Sequence, residues 1–261
     1  MAKVTVLLPH FGCEAYLHQS AASILAQSET DLELCIIDDC SDSDRWLDAL
    51  GTLRKDPRVR LFRSSQRVGP YRIKNRMIEA CSAPYIAFQD ADDYSFRARL
   101  SRQLAAMERG GAGLVGCSAL IVDESGSYAG VRLMPPLANP FLRWGKSYAG
   151  LHPTSLVRRE VFAEVGAFDG TTTIGADSDF LFRVAHRYRV RNLVLPWYGY
   201  RQRAGSLTSG PETGHGSALR TAYWAQVKLR EQQRRRMRAA GEAPTLNAPP
   251  NDRAFALDAV D

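Results

Sequence analysis

Short apolar runs alternate with segments of helical spacing in the first part of the chain. The run Val4–Pro9 is apolar, contains β-branched residues and stops at a proline, which predicts a buried strand. Apolar residues then recur at helical spacing from Glu14 to Gln27, and a second apolar run, Leu32–Asp38, ends in carboxylates. The pattern predicts a β-α-β opening.

The same alternation continues to about residue 110. It predicts strands at Val59–Arg63 and Tyr85–Gln89 and helices at Tyr71–Cys81 and Arg97–Gly110. Strands that alternate with helices indicate an α/β fold with a mostly parallel central sheet and helices on both faces. Ligands of such sheets bind beyond the carboxyl ends of the strands, and two acidic clusters of this chain follow strand ends.

The second half has a weaker pattern. The segment 112–126 predicts a strand and turn, 153–168 a strand and short helix, and 178–188 a helix, whereas 134–147 is Pro-rich and irregular. We expect the catalytic unit to cover residues 1–215. A basic helix is predicted over 216–241 and a poorly ordered tail over 242–261.

Composition narrows the class of protein. With 261 residues and 45% hydrophobic content, the chain can bury one sizeable core. Its five cysteines are odd in number and form no CxxC pair, so neither a disulfide framework nor structural zinc is indicated. No window approaches the roughly 18 apolar residues of a spanning helix, and the apolar start is too short for a signal peptide. We expect a cytoplasmic protein whose membrane contact, if it has one, is peripheral.

Two acidic clusters follow predicted strands. Asp38 and Asp39 end the second strand, where a carboxylate can accept a hydrogen bond from the ring NH of a nucleobase, or can simply cap a turn. Asp90, Asp92 and Asp93 follow the strand at 85–89, where magnesium or manganese bound together with phosphates would relieve their repulsion. The alternative for this second cluster is a solvated acidic turn.

Two later segments also contain residues suited to catalysis or to ligand binding. Asp177 and Asp179 stand at a helix start, where an acid serves as an N-cap or, if exposed, as a catalytic base. The segment 200–208 contains Arg201 and Arg203 among hydroxyl residues, which suits the binding of phosphate oxygens as well as an ordinary surface loop.

Taken in this order, the four segments resemble family 2 glycosyltransferases of the GT-A fold. The family pattern combines V-D-D-G-S-T-D, D-x-D-D, E-D-x-D and Y-R-x-H-x-x-S-x-T, and this chain has related sequences at 37–44, 90–93, 176–179 and 200–208. The stretches 69–75 and 152–169 are also similar to the family's G-x-x-x-A-R-N and acceptor-side segments. The resemblance covers roughly residues 3 to 210.

The resemblance implies a role for each matching residue. Asp38, and after it Asp39, would contact the donor's base. Asp92 would bind Mn²⁺ or Mg²⁺, paired with Asp90 in the D-x-D motif. The remaining donor positions are Pro9, Gly69, Lys74, Arg201 and Arg203.

On the acceptor side, the resemblance makes Asp177 the general base of an inverting enzyme. His152 and Asp179 would contact the acceptor.

Several positions depart from the family pattern. Cys40 replaces a glycine, Lys74 an arginine and Ala176 a glutamate. Arg203 replaces the histidine that often completes the metal site. Because arginine has no acceptor atom, it cannot ligate a metal and is suited to bind phosphate directly.

The basic segment Lys228–Arg238 follows the aromatic pair Tyr223 and Trp224. Such a helix can dock through its aromatic half and lay its basic half on anionic lipid headgroups, or it can be a solvated helix end. Nucleic acid is not expected as a partner, because no aromatic interleaving or binding motif accompanies the charge.

The sequence therefore predicts a metal-dependent, inverting glycosyltransferase. Its donor would be a nucleotide-diphosphate sugar, with UDP as the first choice of carrier, and its acceptor a hydroxyl of a saccharide or lipid-linked molecule in cell-surface polysaccharide or glycolipid synthesis. The alternative is a non-catalytic nucleotide-sugar-binding scaffold with a degenerate site. A nucleotidyltransferase would open on a Gly-rich, Lys-bearing loop, which is not found near Leu7–Tyr16.

Overall fold

The strands of the described residues form one large sheet. The computed structural model describes residues 2–248 and 255–260, and within them the sheet has ten strands in the order β10-β3-β2-β1-β4-β8-β6-β9-β5, with β7 paired to β6. The strands are β1 (Val4–His10), β2 (Leu32–Asp38), β3 (Val59–Ser64), β4 (Tyr85–Phe88), β5 (Tyr94–Ser95), β6 (Ala112–Val122), β7 (Tyr128–Arg132), β8 (Leu156–Arg158), β9 (Arg189–Arg201) and β10 (Leu257–Val260).

Helices connect most of the strands. They are α1 (Glu14–Leu25), α2 (Arg45–Leu50), α3 (Pro70–Ala80), α4 (Arg99–Gly110), α5 (Asn139–Arg143), α6 (Arg159–Val165), α7 (Ala176–Arg187) and α8 (Ala218–Ala239). Short 3-10 helices add Gly51–Lys55, Ser147–Ala149 and His152–Thr154.

The parallel part of the sheet places the acidic clusters at one edge. β1 pairs in parallel with both β2 and β4, and β2 pairs in parallel with β3. The carboxyl ends of these strands therefore lie side by side, and each acidic cluster follows one of them. Beyond β4 the sheet continues through antiparallel pairs: β8 pairs antiparallel with β4 on one side and with β6 on the other.

Alternate residues of β1 pack into two hydrophobic cores, one on each face of the sheet. Val6 and Leu8 belong to the core covered by α1, α2 and α4, whereas Leu7 belongs to the core covered by α3, α6 and α7. Because neighbouring side chains of a strand point to opposite faces, a continuous apolar run is what a strand covered on both sides requires. The predicted α/β architecture with helices on both faces is confirmed.

Several elements were not predicted from the sequence, among them the short helix α2. The long strand β9 was not predicted as a strand; it pairs in parallel with β6 through several register shifts, one of them where Ser118 pairs with Pro196. The segment 134–147, predicted to be irregular, contains the short helix α5.

The C-terminal segment adds to the sheet. Leu257–Val260 pairs antiparallel with β3, and Phe255 packs against the core around α3. The prediction of a poorly ordered tail over 242–261 is wrong for residues 255–260, because a strand edge left open by β3 pairs with them; residues 249–254 and 261 lie outside the described part. Helix α8 falls within the predicted 216–241.

Within the described part of the chain, none of the helices combines the length and the apolar character that crossing a membrane requires.

Candidate active site

An open cavity lies at the carboxyl ends of β1, β2 and β4. Its volume is about 1190 Å³, which compares with roughly 300–1,000 Å³ for ordinary small-molecule sites. The start of α7, the loop after β9 and the first turns of α8 complete its wall. The predicted site residues that line it are Pro9, Asp39, Gly69, Lys74, Asp90, Asp92, His152, Asp177, Arg201 and Arg203.

Asp38 builds the turn after β2 instead of facing the cavity. Its side chain is fully buried and accepts hydrogen bonds from the backbone N–H and the hydroxyl of Ser41, while the Arg63 Nε lies 3.3 Å from its Oδ2. The prediction that Asp38 contacts the base is wrong, because its oxygens are already bound inside the protein. Cys40, at the family's glycine position, has a φ of 59°, so the turn keeps the left-handed conformation that glycine favours.

Asp39 faces the cavity and orders its rim. Its two carboxylate oxygens accept hydrogen bonds from the backbone N–H groups of Val68 and Gly69, each at 2.8 Å. Gly69 has a φ of 86°, and a Cβ there would lie 2.7 Å from the Thr173 methyl. Glycine is required at this position by conformation and by space. Burial raises the pKa of Asp39, with Val68 and Gly69 opposing that shift.

An aromatic and a cationic side chain stack at the same end of the cavity. The Arg67 guanidinium lies 3.7 Å from the centre of the Phe11 ring, and both residues line the wall. The ring is 39% exposed, so the stack presents a flat surface beside Asp39. Neither residue stood out in the sequence, because the two are far apart along the chain and belong to no motif.

The D-x-D carboxylates each face a cation of the protein. The Arg203 Nε donates to Asp92 Oδ2 at 2.6 Å, and the Lys74 Nζ lies 3.7 Å from Asp90 Oδ1. Burial raises the pKa of Asp90; Lys74 opposes this, and the charges of Asp92 and Asp177 add to it. Three carboxylates and two cations thus share one wall of the cavity.

Arg201 braces the site from behind. Its guanidinium donates to the carbonyl oxygens of Asp92, Asp123 and Glu124 and to the side chain of Gln19, and it is 5% exposed. Its backbone N–H donates to Asp93 Oδ1 at 2.7 Å. The predicted phosphate contact therefore does not fit Arg201, because its donors are used to hold the acidic turn; Arg203 remains for that role.

Asp177 faces the cavity from the first turn of α7. Gly175, with a φ of 76°, precedes the helix, and the Tyr71 hydroxyl donates to Asp177 Oδ1 at 3.0 Å. Burial and the Asp177 charge hold the pKa of Tyr71 well above its usual value, so the phenol stays a donor. The sequence did not single out Tyr71, although it lies in the stretch 69–75 that matches the family.

Asp179 lies on the opposite side of α7. It is fully buried and accepts from Arg183 Nε and Arg234 Nη1, each at 2.9 Å. The prediction that Asp179 contacts the acceptor is wrong, because one of its oxygens pairs with Arg183 of the same helix and the other with Arg234 of α8.

His152 lies deep in the cavity wall. It is 4% exposed, its ring packs on Phe88 with centroids 4.4 Å apart, and its Nε2 lies 3.3 Å from the Lys74 Nζ. Burial and the Lys74 charge hold the pKa of His152 well below its usual value. The imidazole is therefore neutral and accepts from Lys74.

Asp90 and Asp92 offer ligands for a divalent ion only together with a substrate. Among the described residues, no group of three His, Cys, Asp or Glu side chains is arranged to hold a metal. Magnesium, however, is commonly bound by one or two carboxylates plus phosphate oxygens and water. The two aspartates fit that pattern, provided that Asp92 releases Arg203.

Helix α8 forms part of the cavity wall, whereas the sequence analysis predicted for it either contact with lipid headgroups or a solvated helix end. Arg220 and Trp224 line the cavity on its α8 side. The aromatic pair Tyr223 and Trp224 was predicted to dock, and Tyr223 does so through a hydrogen bond to the buried Asp169 at 3.1 Å.

The fold and this arrangement of carboxylates define the class of protein. The family model described as Glycosyl transferase family 2 matches residues 5–166, which is more than half of the chain. The chain belongs to glycosyltransferase family 2.

Two curated relatives illustrate the sequence similarity. An uncharacterized glycosyltransferase of Haemophilus influenzae is 34% identical over 108 residues, which cover 41% of this chain and 43% of the relative. The Escherichia coli enzyme WfaP, named a UDP-Glc:alpha-D-GlcNAc-diphosphoundecaprenol beta-1,3-glucosyltransferase, is 29% identical over 108 residues, 41% of this chain and 42% of that protein. The chain matches less than half the length of either relative.

Solved structures match over most of the chain. S. aureus TarS (residues 1–349) in complex with UDP-GlcNAc has a TM-score of 0.65 at 19% identity, covering 90% of this chain and 73% of that one. The complex of the same protein with UDP gives a TM-score of 0.64 at 17% identity over 89% of this chain and 71% of TarS. These likenesses show the shared GT-A fold.

Proposed function

We propose that this chain is an inverting glycosyltransferase that moves a sugar from a UDP-sugar to a hydroxyl of a saccharide or lipid-linked acceptor, in cell-surface polysaccharide or glycolipid synthesis. The observation that carries the proposal is the shared cavity wall, in which the half-buried carboxylate of Asp177 and the cations Lys74 and Arg203 face one space. An inverting transfer needs a base for the acceptor hydroxyl and positive charge for the donor's leaving group, both within one cavity.

The donor's base fits the end of the cavity formed by β1 and β2. Asp39 lies there beside the stack of Phe11 and Arg67, and Pro9 lines the same end. A carboxylate accepts the ring NH of uracil, and a stacked arginine and phenylalanine offer a flat surface to the base. UDP as carrier is also supported by the UDP complexes of TarS and by the donor in the printed name of WfaP.

The reaction follows from the positions of the charged groups. Asp177 takes the proton of the acceptor hydroxyl as that oxygen attacks the anomeric carbon from the face opposite the diphosphate. The bond between the anomeric carbon and the diphosphate oxygen breaks, and the UDP leaves with the electron pair. Lys74 and Arg203 stabilise its growing negative charge.

A bound Mn²⁺ or Mg²⁺ ion would be held by Asp90 and Asp92 and would add positive charge at the diphosphate. Tyr71 keeps the Asp177 carboxylate oriented through its hydroxyl.

A lipid-linked acceptor requires the enzyme to work near a membrane surface, at the inner face of the cytoplasmic membrane in this proposal. The exposed face of α8 supports such contact with three cations, Lys228, Arg235 and Arg236. The other basic residues of the segment face inward or bind the protein: Arg230 pairs with Asp169, and Arg234 with Asp179.

The test is the variant Asp177→Asn, which keeps the shape of the side chain and removes its basicity. We expect UDP affinity within about threefold of wild type by calorimetry. Sugar transfer should fall by about 10²- to 10⁴-fold, the usual contribution of a general base. Transfer is measured as UDP release from a panel of UDP-sugars in the presence of a diphospholipid-linked N-acetylglucosamine, the type of acceptor named for WfaP.

The control is Asp48→Asn, which changes an exposed carboxylate on α2, away from the cavity. Turnover of Asp177→Asn equal to that of this control would exclude Asp177 as the base. UDP binding without transfer of any sugar by the wild-type protein would favour the non-catalytic scaffold.

A further inference from the structure

The loop after β9 places a permanent cation where a metal would bind. The Arg203 Nε donates to Asp92 Oδ2 at 2.6 Å, and its Nη2 lies 2.9 Å from the Cys13 sulfur. The side chains of Arg203 and Asp92 are each only 16% exposed. A charge-assisted hydrogen bond of this length in a half-buried site is among the stronger side-chain interactions.

The loop itself holds Arg203 in this position. The Ser209 hydroxyl donates to the Arg203 carbonyl oxygen at 2.8 Å, and Ser206 lies within hydrogen-bonding distance of both Thr208 and Ser209. The segment 203–209 is thus closed by its own hydroxyl groups. These hydrogen bonds restrain the backbone that carries the guanidinium.

Lys74 is a second cation in this site, and it lies beside Asp90, the other carboxylate of the D-x-D motif. Lys74 is buried, and its Nζ lies 3.7 Å from Asp90 Oδ1. The charges of Lys74 and Arg203 therefore offset those of Asp90 and Asp92. Part of the repulsion that a divalent ion would relieve is thus already offset by the protein's own cations.

We infer that Arg203 acts as the resident cation of the donor site, so that the nucleoside diphosphate binds without a divalent ion and a metal competes with Arg203 for Asp92. This inference rests on the proposed function. A guanidinium has five N–H donors and is never deprotonated in proteins. With Nε on Asp92, the Nη1 and Nη2 groups retain donors for diphosphate oxygens. A metal, in contrast, must first displace the guanidinium from Asp92.

The experiment measures UDP binding by calorimetry in EDTA and in Mn²⁺ for the wild-type protein, Arg203→Gln and Arg203→His. We expect the wild type to bind UDP in EDTA, with less than about a threefold gain from Mn²⁺. Arg203→Gln should lose about 10- to 100-fold in EDTA, the effect of one or two charge-assisted hydrogen bonds. It should recover most of that loss with Mn²⁺, because Asp92 is then free.

Arg203→His should bind Mn²⁺ more tightly than the wild type in the presence of UDP, which electron paramagnetic resonance of the free ion measures directly. Arg54→Gln, an exposed change outside the cavity, is the matched control for loss of one positive charge. Thermal melting of each variant verifies that it is folded.

Wild-type binding that requires Mn²⁺, or binding in EDTA that Arg203→Gln leaves unchanged, would overturn the inference and leave the proposed function standing. Failure of UDP, GDP and dTDP to bind the folded wild-type protein under any metal condition would instead overturn the proposed function, and the inference with it.

Discussion

Residues two positions apart have opposite roles at the start of α7. Asp177 faces the cavity, whereas Asp179 is fully buried and bound by Arg183 and Arg234. Because each residue of an α-helix turns by about 100°, two neighbours in an acid-x-acid pattern point roughly 200° apart. The motif identifies the helix start, and helix geometry then allows one carboxylate to face the cavity while the other contributes to the packing of α7 on α8.

His152 gives a prediction about pH. Its pKa is lowered well below the usual value by burial and by Lys74, so the folded state keeps the neutral imidazole where the unfolded chain takes up a proton. The unfolded state thus binds more protons below about pH 6.5, and the contribution of His152 to stability is lost as the pH falls below that value, by about 1.4 kcal/mol per pH unit.

The measurement is the free energy of unfolding in urea at pH 7.5 and pH 5.5 for the wild-type protein and His152→Gln. The glutamine can still accept from Lys74 and does not titrate, so the drop between the two pH values should be smaller in the variant. Equal drops in the two proteins would show that His152 is protonated in the folded state.

At the scale of elements, α8 is fixed to the catalytic domain by buried charges. Arg234 pairs with Asp179, Arg230 pairs with Asp169, and the His186 Nε2 lies 3.0 Å from the Glu231 carboxylate. The basic residues of this helix form two groups that the sequence does not distinguish. The inward cations bind α7 and the loop before it, whereas the outward cations face solvent. Helix α8 thereby fixes the position of the helix that carries Asp177.

Breaking one of these pairs should destabilise the protein. Arg234→Met removes one of two partners from the fully buried Asp179, and we expect a loss of about 3 kcal/mol, the low end for a broken buried ion pair, since Arg183 remains. Arg235→Met, the exposed neighbour, should change stability by no more than about 0.5 kcal/mol. Urea denaturation compares the two variants, and similar losses in both would argue against a special role for Arg234.

At the scale of the whole molecule, the C-terminal segment extends the sheet by one strand. Leu257–Val260 covers the edge of β3, and the Arg72 guanidinium lies 5.1 Å from the centre of the Phe255 ring. β10 replaces β3 as the edge of the sheet, and because very short edge strands pair poorly with other molecules, this four-residue strand protects the protein as well as adding hydrogen bonds.

Ending the chain at residue 254 should therefore reduce stability by roughly 2–4 kcal/mol, from about 0.5–1.5 kcal/mol for each ladder hydrogen bond. The truncated protein should also associate at high concentration, which light scattering detects alongside urea denaturation. Asp258→Asn keeps the strand and serves as the control. A truncated protein as stable and as monomeric as this control would show that β10 contributes little to the fold in solution.

The sequence by itself determined the parallel half of the sheet, most of the helices that cover it, though not α2, and the order of the acidic clusters. The spacing of apolar residues and the position of acids at strand ends are local properties of the chain. The sequence also identified Asp90, Asp92 and Asp177 as the carboxylates that face the cavity. The tertiary structure decided which polar groups already have partners inside the protein. The Asp38 carboxylate accepts from Ser41, the Arg201 guanidinium donates to the acidic turn, and the Asp179 carboxylate pairs with Arg183 and Arg234. The strands β9 and β10 could also be recognised only in the tertiary structure. β9 pairs with β6 through register shifts, and β10 forms only because β3 leaves an edge open. Such pairings join residues distant in sequence, and no local pattern records them.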